Sequence, residues 1–131
     1  MEIIQGKKLH KEFHYYLKKQ TGAINIDKNK TIGYINNSGF GVVGFNNYYK
    51  DTDIEIHAAG NGSWMNKKQL KHMFTYIFKT LNCKRLTARI ASKNKKSINL
   101  VTKLGFIKEG EMRGLDIGYY SLLRQDCIWA V

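Results

Sequence analysis

The sequence predicts a mixed α/β (α+β) fold, in the order helix, β-meander, helix, strand, helix, β-hairpin, with residues 1–131 forming one domain. Three observations predict it. Apolar residues recur at helical spacing near the start and again from Leu70 to Leu81, alternating strand-like segments fill the stretch between, and a second short helix from Asn94 to Leu104 is stopped by Gly105.

Leu9, Phe13, Tyr16 and Leu17 mark one face of a helix between Lys7 and Gln20, with Gly22 as its stop and lysines on its polar side. Ile24 and Ile26 alternate with polar residues as a strand. Thr31–Ile35 then faces Phe40–Phe45 across Asn36-Asn37-Ser38-Gly39, which reads as a hairpin. A turn at Asn46 to Thr52 leads into Asp53–Ala59, completing a meander, and Gly60-Asn61-Gly62-Ser63 is expected to break that strand. Leu70, Met73, Phe74, Ile77, Phe78 and Leu81 share the face of a long central helix. Arg85 to Ser92 alternates Leu86, Ala88 and Ile90 against Thr87 and Arg89 as a strand. Two further strands are expected near Ile107 to Met112 and Tyr119 to Trp129.

A chain of 131 residues buries one real core. The formal charge of +12 attracts phosphates, nucleic acid or an acidic protein, but lysine dominates the 22 basic residues, so an AT-rich coding genome accounts for part of the excess. Cys83 and Cys127 have no C-x-x-C spacing and read as reduced, buried thiols. No stretch approaches the roughly 20 apolar residues of a membrane span, and no signal segment is visible, so the expected location is cytoplasmic.

Two motifs fail on context. Gly39-Phe40-Gly41-Val42-Val43-Gly44 fits G-x-G-x-x-G, but no helix follows it to meet a pyrophosphate, so these are strand and turn glycines. His10 and His14 lie four apart without the H-E-x-x-H order of zinc proteases, and no metal is assigned.

The segment Asn94-Lys95-Lys96-Ser97 through Lys103-Leu104-Gly105-Phe106 carries more weight. Asn94 is placed to cap a helix, Gly105 lets the chain reverse, and Phe106 buries the return. With Ser97 three residues after Asn94, and Glu109-Gly110-Glu111-Met112-Arg113 following, the run resembles the GNAT family of N-acetyltransferases. Val43–Asn46, Ile54–His57 and Tyr120–Trp129 are similar to short phage-encoded members, which would place the protein in the host cytoplasm.

The resemblance implies a GNAT-like, mostly antiparallel twisted sheet flanked by helices, and direct transfer of an acetyl group from acetyl-CoA to an amine of a small molecule or protein, an acidic protein among the candidates. It implies that backbone N–H groups of His57, Ala58 and Ala59 hold the thioester carbonyl and pantetheine, and that Asn94, with Ser97, contacts the pantetheine arm. The family's Gln/Arg-x-x-Gly-x-Gly/Ala phosphate loop corresponds to Gly62-Ser63-Trp64-Met65-Asn66-Lys67, where Met65 and Lys67 stand in the glycine places. Gly60 and Gly62 offer another backbone route to phosphate. Lys67 and Lys68 in the first helical turn oppose the helix dipole unless an anion docks there; otherwise they reach into solvent, with Ser63 or Asn66 as an ordinary N-cap.

Glu55 and His57, two apart on a strand, share a face and are the base candidates, the alternative being that they face solvent. Val101 stands where many relatives carry the acid tyrosine, leaving Tyr120 or Tyr119 as substitutes. Two other readings stay open. One is a GNAT fold that has lost catalysis and acts as a binding protein. The other is a basic nucleic-acid-binding module, suggested by Tyr15, Tyr16, Tyr48 and Tyr49 among lysines but lacking any recognition signature.

Overall fold

The computed structural model describes residues 2–4, 10–21 and 31–129. The strand expected around Ile24 and Ile26 lies outside these residues. The elements run β1 (Glu2–Ile4), α1 (His10–Thr21), β2 (Thr31–Asn36), β3 (Gly39–Tyr49), β4 (Asp53–Gly62), α2 (Lys67–Thr75), β5 (Arg85–Ala91), α3 (Lys95–Leu104), β6 (Ile107–Met112) and β7 (Ile117–Leu123). They build a seven-stranded sheet in the order β1-β2-β3-β4-β5-β7-β6, antiparallel throughout except for β4 beside β5. A parallel pair needs a crossover, and α2 supplies it.

Alternation along the strands sorts the two faces. Ile32, Tyr34, Val43, Phe45, Ile54, Leu86, Ala88, Ile90, Tyr120 and Leu122 join Leu70, Met73, Phe74, Ile77 and Phe78 in one apolar cluster, against which Ile98 and Val101 of α3 also pack. On the opposite face Leu17 of α1 meets Val42, with Phe13, Tyr16 and Ala59 around them.

The structure departs from the expected elements in four places. β1 was not foreseen, since three residues carry no readable period. The central helix changes winding at Tyr76–Thr80, where the N–H of Leu81 reaches back five residues to the Tyr76 carbonyl at 2.8 Å. β4 does not break at Gly60: it continues to Gly62, pairing Gly60 with Gly41, Asn61 with Phe40 and Gly62 with Gly39. The last strand ends at Leu123, where a single 3-10 turn, Arg124–Asp126, takes over. Cys83 is buried, which pushes its thiol up to about 11, and Cys127 is half-buried; both are free. Among the described residues no helix is long and apolar enough to cross a membrane.

Candidate active site

β4 and β5 pair only at Asp53–Arg85, Ile54–Leu86 and Glu55–Thr87. Beyond Glu55 the strands part: β5 continues against β7 while β4 continues against β3. The backbone of Ile56 to Ala59 therefore has no strand partner on the β5 side among the described residues. Peptide groups at such an edge are left for a partner other than a strand.

Glu55 and His57 stand at this parting, on the face opposite α2 and α3. Glu55 is 4% exposed, which overturns the solvent-facing alternative. Its carboxylate accepts from Arg89 Nε, at 2.9 Å to Oε1 and 3.0 Å to Oε2, and from Asn47 Nδ2 at 3.2 Å. His57 Nε2 lies 3.3 Å from Glu55 Oε2 and 2.9 Å from Asn46 Oδ1. Burial pushes the Glu55 carboxyl up, but His57 and Arg89 outweigh it and hold the group below its usual range. Glu55 is thus an ionised anchor in neutral solution.

Asn46, Asn47 and Arg89 were missed by sequence reasoning. Asn46 is the register partner of Glu55 on β3, and a bulge between Asn46 and Tyr49, with Asn47 at φ 51°, turns Asn47 onto the same carboxylate. Extending the hairpin alternation from Val43 and Phe45 would have put Asn46 on the polar face; nothing local announced the bulge. Farther along this face Thr87 Oγ1 donates to Asp53 at 2.8 Å, and Arg85 donates to Thr87 at 3.0 Å and to Glu109.

The loop before α2 is built differently from the expectation. Trp64, 8% exposed, folds back onto the apolar face and stacks on Tyr34 with ring centroids 5.9 Å apart. A Cβ at Gly41 would lie 2.1 Å from its indole, and one at Gly60 2.1 Å from its Nε1. Gly62, at φ +75°, leaves room for the Ser38 carbonyl. Gly60 and Gly62 therefore accommodate Trp64 and the β2–β3 hairpin. The same hairpin holds the loop by Asn36 Nδ2 to the Trp64 carbonyl, 3.0 Å, and the Ser63 N–H to the Ser38 carbonyl, 3.0 Å. Beneath, the Tyr34 hydroxyl meets His72 Nδ1 at 2.9 Å, and burial lowers the His72 pKa.

Asn66, not Ser63, caps α2. Its Oδ1 accepts from the N–H groups of Lys68 and Gln69 at 3.0 and 3.1 Å, and Gln69 Oε1 accepts in return from the Asn66 N–H at 3.3 Å. Two N–H groups that a phosphate would seek are already satisfied. Lys67 and Lys68 are exposed and, with Asn36 to Ser38 and Asn66, line an open cavity of about 490 Å³. Met65 packs partly on the core. Asn94 caps α3 as expected, its Oδ1 accepting from the N–H of Ser97 at 3.2 Å, and Gly105 closes that helix at φ 103°. Ala58 lines the core side of β4 and Ala59 the α1 side. Tyr120 is 4% exposed on the core side of β7, whereas Tyr119 lies on the other face, in register with Arg89, and donates to Met112 Sδ at 3.2 Å.

A seven-stranded mixed sheet whose single parallel pair parts after three residues, with a capped helix crossing between its strands, defines the class of fold, an α+β domain. Residues 7–107 match the family model "Acetyltransferase (GNAT) domain", and the chain belongs to that family, whose members use acetyl-CoA. It is 25% identical over 118 residues to an uncharacterised N-acetyltransferase p20 of Bacillus licheniformis, a match covering 84% of this chain and 66% of that protein. The chain thus spans just under two thirds of that relative. Among solved structures, a spermidine N-acetyltransferase SpeG chimera from Vibrio cholerae and hSSAT superposes with a TM-score of 0.68 at 13% identity, covering 95% of this chain and 98% of that one. The Campylobacter jejuni N-acetyltransferase PseH in complex with acetyl coenzyme A gives 0.58 at 18% identity, covering 87% and 79%. These two likenesses concern the fold alone.

Proposed function

We propose that this protein is an N-acetyltransferase that takes its acetyl group from acetyl-CoA and delivers it to an amine. The observation that carries the reading is the parting of β4 from β5 immediately after Glu55 and Thr87, with Glu55 and His57 side by side at that point. The residues fit the cosubstrate unevenly. The free edge of β4 from His57 to Ala59 fits a thioester carbonyl and pantetheine amides, and Asn94 and Ser97 at the start of α3 are the proposed contacts to the pantetheine arm. The stretch Gly62, Ser63, Met65, Asn66 and Lys67 fits a pyrophosphate through Lys67 and Lys68 more than through the helix N–H groups, two of which Asn66 already takes. Glu55 and His57 serve the amine proton. Tyr120 is the proposed donor to the departing sulfur, reached from the core side of the sheet.

A second reading, a GNAT fold that binds without catalysing, is favoured by one observation: Asn66 and Trp64 fill space and N–H groups that a glycine loop would leave to phosphate. Titration of acetyl-CoA to millimolar concentration in a thermal-shift measurement, followed by thiol-release assays with spermidine, a lysine peptide and a free N-terminal peptide, separates the two. The expected result is a concentration-dependent rise in Tm and thiol release with at least one amine. No rise in Tm overturns the enzyme reading; a rise without release on any amine favours the binding reading.

A further inference from the structure

We infer that Asn46 and Glu55 together lock His57 in the Nε2–H tautomer, leaving Nδ1 as the atom that receives the acceptor's proton, so that His57 is the catalytic residue and Asn46 and Glu55 position it. The inference rests on the acetyltransferase reading and deepens it.

The geometry carries it. His57 Nε2 lies 2.9 Å from Asn46 Oδ1 and 3.3 Å from Glu55 Oε2. An ionised carboxylate only accepts, so the nitrogen between them must carry hydrogen. With Nε2 facing the carboxylate, Asn46 is required to present its oxygen, which fixes the amide orientation as well. Glu55 is kept ionised by Arg89 Nε at 2.9 Å and by Asn47 Nδ2 at 3.2 Å. Asn46 is itself buried, and the register places Gly44 directly opposite His57, so that paired position on β3 carries no side chain to compete with Asn46 for the ring. Nδ1 has no hydrogen-bond partner among the described residues, and the imidazole side chain retains 13% of its surface. Glu55, by contrast, has its oxygens occupied by Arg89, Asn47 and His57 and is poorly placed to take a proton directly.

The step balances. The acceptor's ammonium N–H gives its proton to Nδ1, forming an imidazolium stabilised by Glu55. The freed nitrogen pair bonds to the thioester carbonyl carbon and the C–S bond breaks; the nitrogen's second proton offsets the one that the departing thiolate takes up through Tyr120, and the imidazolium returns the first to solvent, giving amide and free thiol.

Two measurements on the full chain test this. Long-range ¹H–¹⁵N correlation spectra of histidine-labelled protein, with His57 assigned through His57→Gln, are expected to show Nε2 protonated and Nδ1 bare near neutral pH. Asn46→Leu is expected to convert this to a tautomer mixture. In steady-state kinetics His57→Gln lowers kcat about a hundredfold or more, and Asn46→Leu lowers kcat with little change in KM for acetyl-CoA. Asn46→Gln, which keeps a neutral amide acceptor, recovers part of what the leucine loses and serves as the second variant should the leucine chain misfold. Nδ1–H in the wild-type protein, or wild-type turnover in His57→Gln, overturns the inference. Should no amine be acetylated, the functional reading fails and the proton-acceptor role falls with it, whereas a wrong tautomer in an active enzyme defeats the inference alone.

Discussion

The two sides of β4 answer to different rules. Toward α2 the strand presents Ile54, Ile56, Ala58 and Gly60, which pack against the apolar core or, at Gly60, beneath the Trp64 indole. Toward α1 it presents Glu55 and His57, fixed by Asn46, Asn47 and Arg89. Shape decides the first side, because close-packed apolar groups respond to volume. Partnership decides the second, because a buried charge costs several kcal/mol when its partner is removed. Substitutions on the two sides are therefore expected to fail for different reasons.

Trp64 sets the upper bound. Trp64→Ala removes the stack on Tyr34 and opens a cavity over Gly41 and Gly60, and is expected to cost about 3–5 kcal/mol in urea denaturation. A loss under 1 kcal/mol would show that the indole merely rests on the surface. On the polar side, Glu55→Ala empties a buried carboxylate site and leaves Asn47, His57 and the solvent-exposed guanidinium of Arg89 without their shared acceptor. A loss of about 1.5–3 kcal/mol is expected, smaller than for a fully enclosed pair because water can solvate the exposed Arg89. The pH dependence follows in sign. The folded-state pKa of Glu55 is depressed, so its contribution is complete above the unfolded value near 4.5 and disappears as pH falls through the folded value. Denaturation midpoints of the wild type should therefore fall on acidification below about pH 4.5 more steeply than those of Glu55→Ala.

Gly60→Ala distinguishes crowding from backbone freedom. The new methyl group meets the Trp64 ring, so a cost of about 1–3 kcal/mol is expected. In a Trp64→Ala background part of that cost should go and part remain, because the Phe40 carbonyl also lies 2.6 Å from the new methyl; a double-mutant cycle reads the coupling, and fully additive losses would sink the wedge description. The smallest effect belongs to the start of α2. Asn66→Ala forfeits the capping box at about 1 kcal/mol, yet it releases the N–H groups of Lys68 and Gln69. If acetyl-CoA uses that helix terminus, calorimetry should show affinity unchanged or tighter despite the lower stability; weaker binding would mean that Asn66 itself contacts the cosubstrate.

The local signals were mostly legible. The hairpin from Thr31 to Phe45 appears where alternation put it, and Asn94 and Gly105 cap α3 as their chemistry requires. The pairing of Glu55 with His57 on one face follows from the two-residue strand period, and the structure adds that they touch. Gly60 shows the converse. As a local signal it read as a strand break, but strand pairing with Gly41 and the overlying indole carry β4 two residues further.

What the sequence by itself determined is the order of elements from β2 to β7, the caps of α3 and the family to which Asn94-to-Phe106 points, because periodicity and capping act within a few residues. Only the tertiary structure decided that Trp64 fills the space over two glycines and that Asn46 and Arg89 complete the Glu55–His57 cluster. Each of these joins residues from different strands or loops. Such contacts depend on register and on a bulge, which no short window of sequence encodes.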